Sequence, residues 1–479
     1  MKVLFLAAEA TPLIKIGGLA DVAGELPRAL ARLGVDVQLA IPRYPALRAN
    51  VFGRQPEAIV DVPRRAGSQP AQVHAVDTDG LRVWLVGGDP VDSVPGVYGE
   101  PSRDAAKFTF FAQGALQACR ALGWEPDVVH AHDWHAAPAL AGMRMLGGPW
   151  ERVASVLSVH NLPYMGAGAA EALADYGLGP ADDPLLPEWA RWLPLPLGMV
   201  HADWITTVSP GYAAEIQSPA FGCGLESYLA SRAARLRGIL NGIDPAVWNP
   251  STDAAVEARF SINSIDGRRP NKAALQRELG LPEQTRVPLL AMVTRLDGQK
   301  GVDLALEALA LLIDKDWQMV LLGTGDAALE DRAQAFAASR PEKVIFLPRF
   351  DPPLSRRIYA GADMILVPSR YEPCGLVQLI ALRYGAVPVV HATGGLKDTV
   401  DPYQHAGKGT GFLFGSWDPQ SLAASLRQAM AVYADRRRWL GLQRRGMAQD
   451  NSWTRSAQAY VELYGEAVAL RHPASRGVA

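Results

Sequence analysis

Two cations, Arg295 and Lys300, flank a loop that reads Thr294-Arg-Leu-Asp-Gly-Gln-Lys-Gly301 and follows an apolar run. At the carboxyl-terminal edge of a parallel sheet, where such folds bind ligands, an Arg and a Lys can hold a diphosphate and neutralise it as it departs. In an ordinary surface loop they would be solvated charges. Glu372 lies in Tyr371-Glu-Pro-Cys-Gly-Leu376, between an apolar run that ends near Pro368 and a helical pattern that starts near Leu376. A carboxylate beside a glycine at a helix start can accept sugar hydroxyls while the helix amides face a phosphate. Thr393-Gly-Gly-Leu396 repeats the glycine turn, and either turn also suits plain helix capping. Cys374 has no partnering histidine in the sequence and reads as small filler rather than a nucleophile.

Lys15-Ile-Gly-Gly-Leu19 sits where a first strand turns into a first helix. Gly17 and Gly18 let the backbone turn tightly so that its amides can face an anion, with Lys15 adding charge; an ordinary βα turn would need glycine too. His130-Ala-His-Asp-Trp-His135 sets three imidazoles and a carboxylate within six residues, which invites a metal. His130 and His132 alternate at a strand end, however, and no second cluster with ligand spacing occurs. The stretch therefore reads as a polar loop facing a substrate, with His160-Asn161 at the end of the next strand on the same sheet edge. No Gly-x-Gly-x-x-Gly or Gly-Lys-Ser/Thr pattern is present, which removes support for dinucleotide and P-loop chemistry.

The elements that must position these residues alternate. Lys2 to Ala8 reads as a buried strand, Leu19 to Leu33 as a helix with Pro27 inside it, and Val35 to Ile41 as the next strand of a parallel βαβ unit. Asp127 to His132, Val153 to Val159 and Trp204 to Val208 are further short strands, so the first half reads as a parallel α/β domain. The rhythm restarts with strands at Pro288 to Thr294, Gln318 to Leu322, Val344 to Leu347, Met364 to Val367 and Val387 to Val390. Helical patterns at Val302 to Ile313, Leu329 to Ala338, Leu354 to Ala360 and Leu376 to Tyr384 fill the gaps. Two such blocks imply two doubly wound domains, with the loop residues of Asn241 to Pro250 suited to a hinge and a boundary near 245. A final helical pattern from Trp453 to Leu470 could pack on either domain.

A chain of 479 residues exceeds what one core usually serves, in keeping with two domains. A net charge of −2 leaves no basic footprint for a polyanionic backbone, so nucleic acid is not an expected partner. Three scattered cysteines do not make a disulfide framework, and Glu9 and Pro12 end the apolar start before a signal-peptide core could form. No run approaches the roughly 20 apolar residues needed to span a bilayer, so the expectation is a soluble, cytoplasmic protein with no membrane partner.

Taken in order, the segments 15–22, 130–135, 159–161, Asn-Gly-Ile-Asp at 241–244, Arg295 with Lys300, 372–376 and 393–396 resemble the bacterial glycogen synthase and plant starch synthase family. The resemblance runs from the first strand to the last helix. It implies the GT-B fold: two doubly wound Rossmann-like domains facing across a cleft, 1–245 on the acceptor side and 246–453 on the donor side. A helix in 454–479 would return to the first domain. It also implies transfer of glucose from ADP-glucose to the non-reducing end of an α-1,4-glucan with retention of configuration and without a metal or other cofactor.

By similarity, Lys15, Gly17 and Gly18 meet donor phosphates, Arg295 and Lys300 the leaving diphosphate, and Glu372 the glucosyl hydroxyls. His160, Asn161 and Asn241 contact the transferred sugar, Asp133 lies near the reacting face, and Phe350 stacks on the base. Cys374, Gly375, Leu376 and Val377 complete the donor side, and Glu9 and Tyr98 are the acceptor contacts. Ile16 departs from the Thr often seen after that lysine, Val377 from the Thr of many bacterial members, and Ile380 from a second Glu of the broader retaining GT-B group. A related GT-B transferase acting on another nucleotide sugar or a small acceptor, and a catalytically silent glucan-binding protein, are the rival readings. The intact Glu372, Arg295 and Lys300 weigh against the silent one.

Overall fold

The apolar runs form two separate sheets in the computed structural model, which describes residues 1–51, 53–405 and 407–472. The chain divides into two compact units, one built from Met1–Gly242 together with the chain from Trp453, the other from Ile243–Ser452. The change falls at Gly242, a few residues before the expected 245, and the return falls at Trp453.

The first unit holds nine strands: β1 (Lys2–Leu6), β2 (Asp36–Pro42), β3 (Ala58–Arg64), β4 (Gly67–Thr78), β5 (Leu81–Gly87), β6 (Val128–His132), β7 (Ala154–Val159), β8 (Trp204–Thr207) and β9 (Leu236–Gly238). They pair in the order β3-β4-β5-β2-β1-β6-β7-β8-β9. From β5 to β9 every pairing is parallel, but β3, β4 and β5 run antiparallel, which corrects the expectation of a wholly parallel first half. The β4–β5 link is Asp79-Gly80, both at positive φ (48° and 78°), the mirror-image turn that suits the strand twist of a two-residue hairpin. The Gly18–Arg32 helix runs on through Pro27, which is buried within it. In the Trp453–Arg471 helix, Trp453, Ala457, Tyr460, Leu463, Tyr464 and Ala467 recur at helical spacing and bury themselves in this unit's core.

The second unit is a parallel sheet of β10 (Leu289–Val293), β11 (Gln318–Leu322), β12 (Val344–Leu347), β13 (Met364–Val367), β14 (Val387–His391) and β15 (Phe412–Phe414). Its order is β12-β11-β10-β13-β14-β15. Alternate residues enter two different cores: Leu290, Met292, Met319, Leu321 and Leu366 on one face, Ala291, Val320, Leu322, Ile365 and Val367 on the other. A sheet buried on both faces by helices is what continuous apolar strands demand. The strand order reverses between β1 and β6 in the first unit and between β10 and β13 in the second. At such switch points the loops leaving neighbouring strands diverge and leave a crevice beyond the carboxyl ends.

Candidate active site

Most of the sequence-marked residues lie in loops at those two switch points, whereas Tyr98, Asn241 and Phe350 follow β5, β9 and β12. In the first unit the loop after β1 carries Glu9, Lys15, Gly17 and Gly18, the loop after β6 carries Asp133, and the loop after β7 carries His160 and Asn161. The buried Glu9 carboxylate accepts from the amides of Ile16 and Gly17, the latter at 3.0 Å. Burial raises the Glu9 carboxyl above its ordinary value, and these amides oppose the rise. The glycine turn is therefore closed by a carboxylate from its own unit. The Gly17 amide, expected to face a phosphate, is bonded here to Glu9, which shapes the turn. Lys15 pairs with Asp21 at 2.6 Å near the surface, whereas a Cβ at Gly18, the first helical residue, would meet nothing within 4 Å.

Asp133 sits at φ 55°, a left-handed conformation uncommon for a residue with a side chain. Its buried carboxylate accepts from the His160 amide at 2.7 Å and also from the Asn161 amide, tying the end of β6 to the end of β7. Burial pushes its carboxyl up to about 7 against the pull of those amides, and the Glu9 charge adds to the rise. Backbone strain and an uncomfortable charge at one residue mark a position held in place by its surroundings.

His130 is bonded at 2.7 Å to Tyr464 Oη and to Ser158 Oγ. His132 Nδ1 lies 2.8 Å from His160 Nε2. His135 packs its ring against Phe108 and Tyr98, with centroids 4.7 and 5.3 Å away. Burial lowers all four histidines, His160 to about 4 and His135 to about 3. Among the described residues no group of three or more His, Cys, Asp or Glu is placed to hold a metal ion. Asn161 Oδ1 and Asn241 Oδ1 are buried without a hydrogen-bond partner, acceptors of the kind a bound hydroxyl satisfies. For Tyr98, burial and then the Glu9, Asp133 and Asp104 carboxylates raise the hydroxyl far above its ordinary value, and its ring lies 5.3 Å from that of His135.

In the second unit the loops after β10 and β13 are joined. Lys300 Nζ donates to Glu372 Oε2 at 2.7 Å, and Ser369 Oγ donates to the same oxygen at 2.9 Å. Gln299 Nε2 donates to the Tyr371 carbonyl and the Arg370 amide to the Gln299 carbonyl, so the pair does not depend on side chains alone. Gly301, at φ 66°, has no room for a side chain: a Cβ there would come within 2.1 Å of the Pro368 carbonyl oxygen. The loop after β14 adds Gly395, whose amide donates to the Glu372 carbonyl at 3.0 Å and whose Cβ position lies 2.4 Å from the Cys374 carbonyl oxygen. Glu372 is 7 % exposed, clamped by three loops.

Arg295 is largely exposed and pairs with Asp297 at 3.2 Å. Phe350, in the loop after β12, is 81 % exposed, an unusual degree for a phenylalanine. Cys374 is buried, Gly375 takes φ 77°, and Leu376 and Val377 open the Val377–Arg383 helix. Sequence reasoning missed Ser369, three residues before Glu372, along with Gln299, Ser158 and Tyr464. None carries a motif of its own, and only contact reveals them.

Two doubly wound sheets, each with charged groups at its switch point, place the chain among proteins of the GT-B fold. Residues 2–231 match the family model described as the starch synthase catalytic domain, and residues 274–440 match that of glycosyl transferases group 1. The chain is 42% identical to the glycogen synthase of Syntrophotalea carbinolica, over 98% of this chain and 100% of the relative. It is 40% identical to glycogen synthase 2 of Geobacter sulfurreducens, over 98% and 100%. The chain belongs to the glycogen synthase family. Its structure is similar to the catalytic domain of starch synthase IV from Arabidopsis thaliana bound to ADP and acarbose, with a TM-score of 0.88 and 32% identity over 98% of this chain and 99% of that one. Sucrose-phosphate synthase from Thermosynechococcus elongatus, at 19% identity and a TM-score of 0.62, shares the fold.

Proposed function

We propose that the chain transfers glucose from ADP-glucose to the non-reducing end of an α-1,4-glucan with retention of configuration, using no metal ion or other cofactor. The observation that carries the reading is the Lys300–Glu372 pair at the switch point of the second unit, in a chain similar along its length to a starch synthase that binds ADP. Breaking the C1–O bond of a nucleotide sugar puts negative charge on the departing oxygen, so fixed cations there favour the transition state over the ground state. In this reading the donor diphosphate competes with Glu372 for Lys300 and with Asp297 for Arg295. Glu372, relieved of its cation, accepts glucosyl hydroxyls. Phe350 stacks on the base, and Cys374 to Val377 lie along the phosphates with the Leu376 and Val377 amides as donors.

To the first unit the reading assigns Lys15 and Gly18 as phosphate contacts, Asn161 and Asn241 as acceptors of sugar hydroxyls, and Glu9 and Tyr98 as glucan contacts. The Asp133 carboxylate and the His160 carbonyl would stabilise positive charge at C1 during attack from the face the diphosphate leaves. We place the reaction in the cytoplasm, where nucleotide sugars are made; no helix among the described residues is long and apolar enough to cross a membrane. The test is incorporation of labelled glucose from ADP-glucose or UDP-glucose into glycogen, with digestion of the product by an α-1,4-specific amylase. Label taken from ADP-glucose, dependent on glycogen and released by the amylase, is expected. No incorporation, or a preference for UDP-glucose, would overturn the assignment.

A further inference from the structure

We propose that His132 is a positioning residue that fixes the tautomer of His160, so that His160 offers its Nδ1–H to an oxygen of the bound sugar. This rests on the glucosyl-transfer reading for its role in turnover, though not for the tautomer itself. His132 is fully buried at the end of β6, stacked on Phe5 with centroids 4.0 Å apart and an interplanar angle of 28°. His130 lies 4.1 Å away and is itself held by Tyr464 and Ser158. Burial among these two rings restricts the His132 ring. Its Nδ1 faces His160 Nε2 at 2.8 Å, and its Nε2 is buried with no hydrogen-bond partner.

Burial keeps both rings neutral, so each carries one N–H. One of the two facing nitrogens must be the donor. If His160 donated from Nε2, the proton of His132 would sit on its own Nε2 and leave a buried N–H with no acceptor. If His132 donates from Nδ1, its Nε2 is only an unused lone pair. Orphaned buried N–H groups are rarer than under-used acceptors, so the second arrangement prevails. His160 Nε2 then accepts, and its proton is confined to Nδ1.

Among the described residues, His160 is held at two points, its amide by Asp133 at 2.7 Å and its Nε2 by His132. Nδ1 has no protein partner there, and the residue is half-buried. A donor of known position and fixed protonation is thereby presented at the switch point of the first unit. The sequence showed the three imidazoles of residues 130–135 as a metal candidate or a polar loop. The contacts make His132 a support for a histidine from the next strand.

Two-bond proton–nitrogen spectra of histidine-labelled full-length protein read the tautomer directly, with the His160 signal assigned by its loss in His160→Asn. The wild type should show His160 protonated on Nδ1. His132→Phe keeps the ring stack and deletes the donor, so it should shift His160 toward the Nε2–H form and lower kcat by about 10- to 100-fold, the usual effect of removing a partner that orients a functional histidine. KM should move less. His132→Asn, whose amide nitrogen can replace Nδ1, should restore the tautomer and most of kcat. His160 protonated on Nε2 in the wild type overturns the proposal, as do an unchanged tautomer and kcat in His132→Phe. Should that variant not fold, the wild-type spectrum decides alone. The expected tautomer in a protein that transfers no glucose would instead refute the functional reading.

Discussion

Replacing Asp133 by Asn should make the protein more stable and less active, with a pH dependence that identifies the cause. The carboxyl rises from 3.8 to about 7 in the fold, chiefly because it is buried. Between roughly pH 4 and pH 7 the folded state therefore holds a proton that the unfolded chain has released, and stability falls as pH rises through that window. Above it the penalty is complete, up to ~4 kcal/mol for a rise of that size. Asn carries no charge at any of these pH values. Its side-chain oxygen can still accept from the His160 and Asn161 amides, and Asn tolerates positive φ as well as Asp does.

Urea denaturation of both proteins from about pH 4 to about pH 8 should give equal stabilities at the acid end and a widening advantage for Asp133→Asn toward the alkaline end. Glucosyl transfer should fall about 100-fold or more in the variant, since the carboxylate is the group placed to stabilise charge at C1. In the wild type, kcat should fall as pH drops through about 7, where Asp133 takes up its proton, and that limb should be missing from the residual activity of the variant. A stability difference that does not change with pH would refute the buried-charge argument. A variant with wild-type kcat would remove Asp133 from the chemistry.

The Lys300→Ala substitution should lower kcat about 100- to 1,000-fold and also reduce the melting temperature, because it leaves the buried Glu372 carboxylate with Ser369 as its remaining side-chain partner. Arg295→Ala should lower kcat comparably in the same assay with an unchanged melting temperature, since its side chain is 61 % exposed. EDTA should leave incorporation of label intact; stoichiometric zinc whose removal abolishes activity would contradict the assignment of the imidazoles. Gly395→Ala would drive a methyl group against the Cys374 carbonyl, so it should lower both thermal stability and kcat.

What the sequence made legible follows from the range over which its signals act. Strands such as β10, β11 and β13 are continuous apolar runs because both faces are buried, and a run of that kind declares itself without help from distant residues. Arg295, Lys300 and Glu372 could be marked for the same reason, since each follows such a run. The β3–β5 hairpins were the local signal overlooked: Asp79-Gly80 is a strong two-residue turn, but β3 and β4 carry Pro63 and Pro70 and a half-exposed alternation that does not read as a buried strand.

Pairings were beyond reach. Lys300 and Glu372 are 72 residues apart, and nothing in either loop states that the cation rests on the carboxylate rather than in solvent. The Glu9 carboxylate closing the Gly17 turn has a short separation of 8 residues, yet it too was missed, because a carboxylate and a glycine-rich turn look like two separate ligand contacts until the geometry joins them. The same holds for the strain at Asp133. A positive φ at a residue with a side chain is not encoded in its own identity, and neither are the amides of β7's trailing loop that bond this carboxylate nor the burial that raises it. Motifs thus marked candidate residues, whereas the protonation states that the proposed chemistry needs, a raised carboxyl at Asp133 and a single tautomer at His160, arise from contacts between strands distant in the chain.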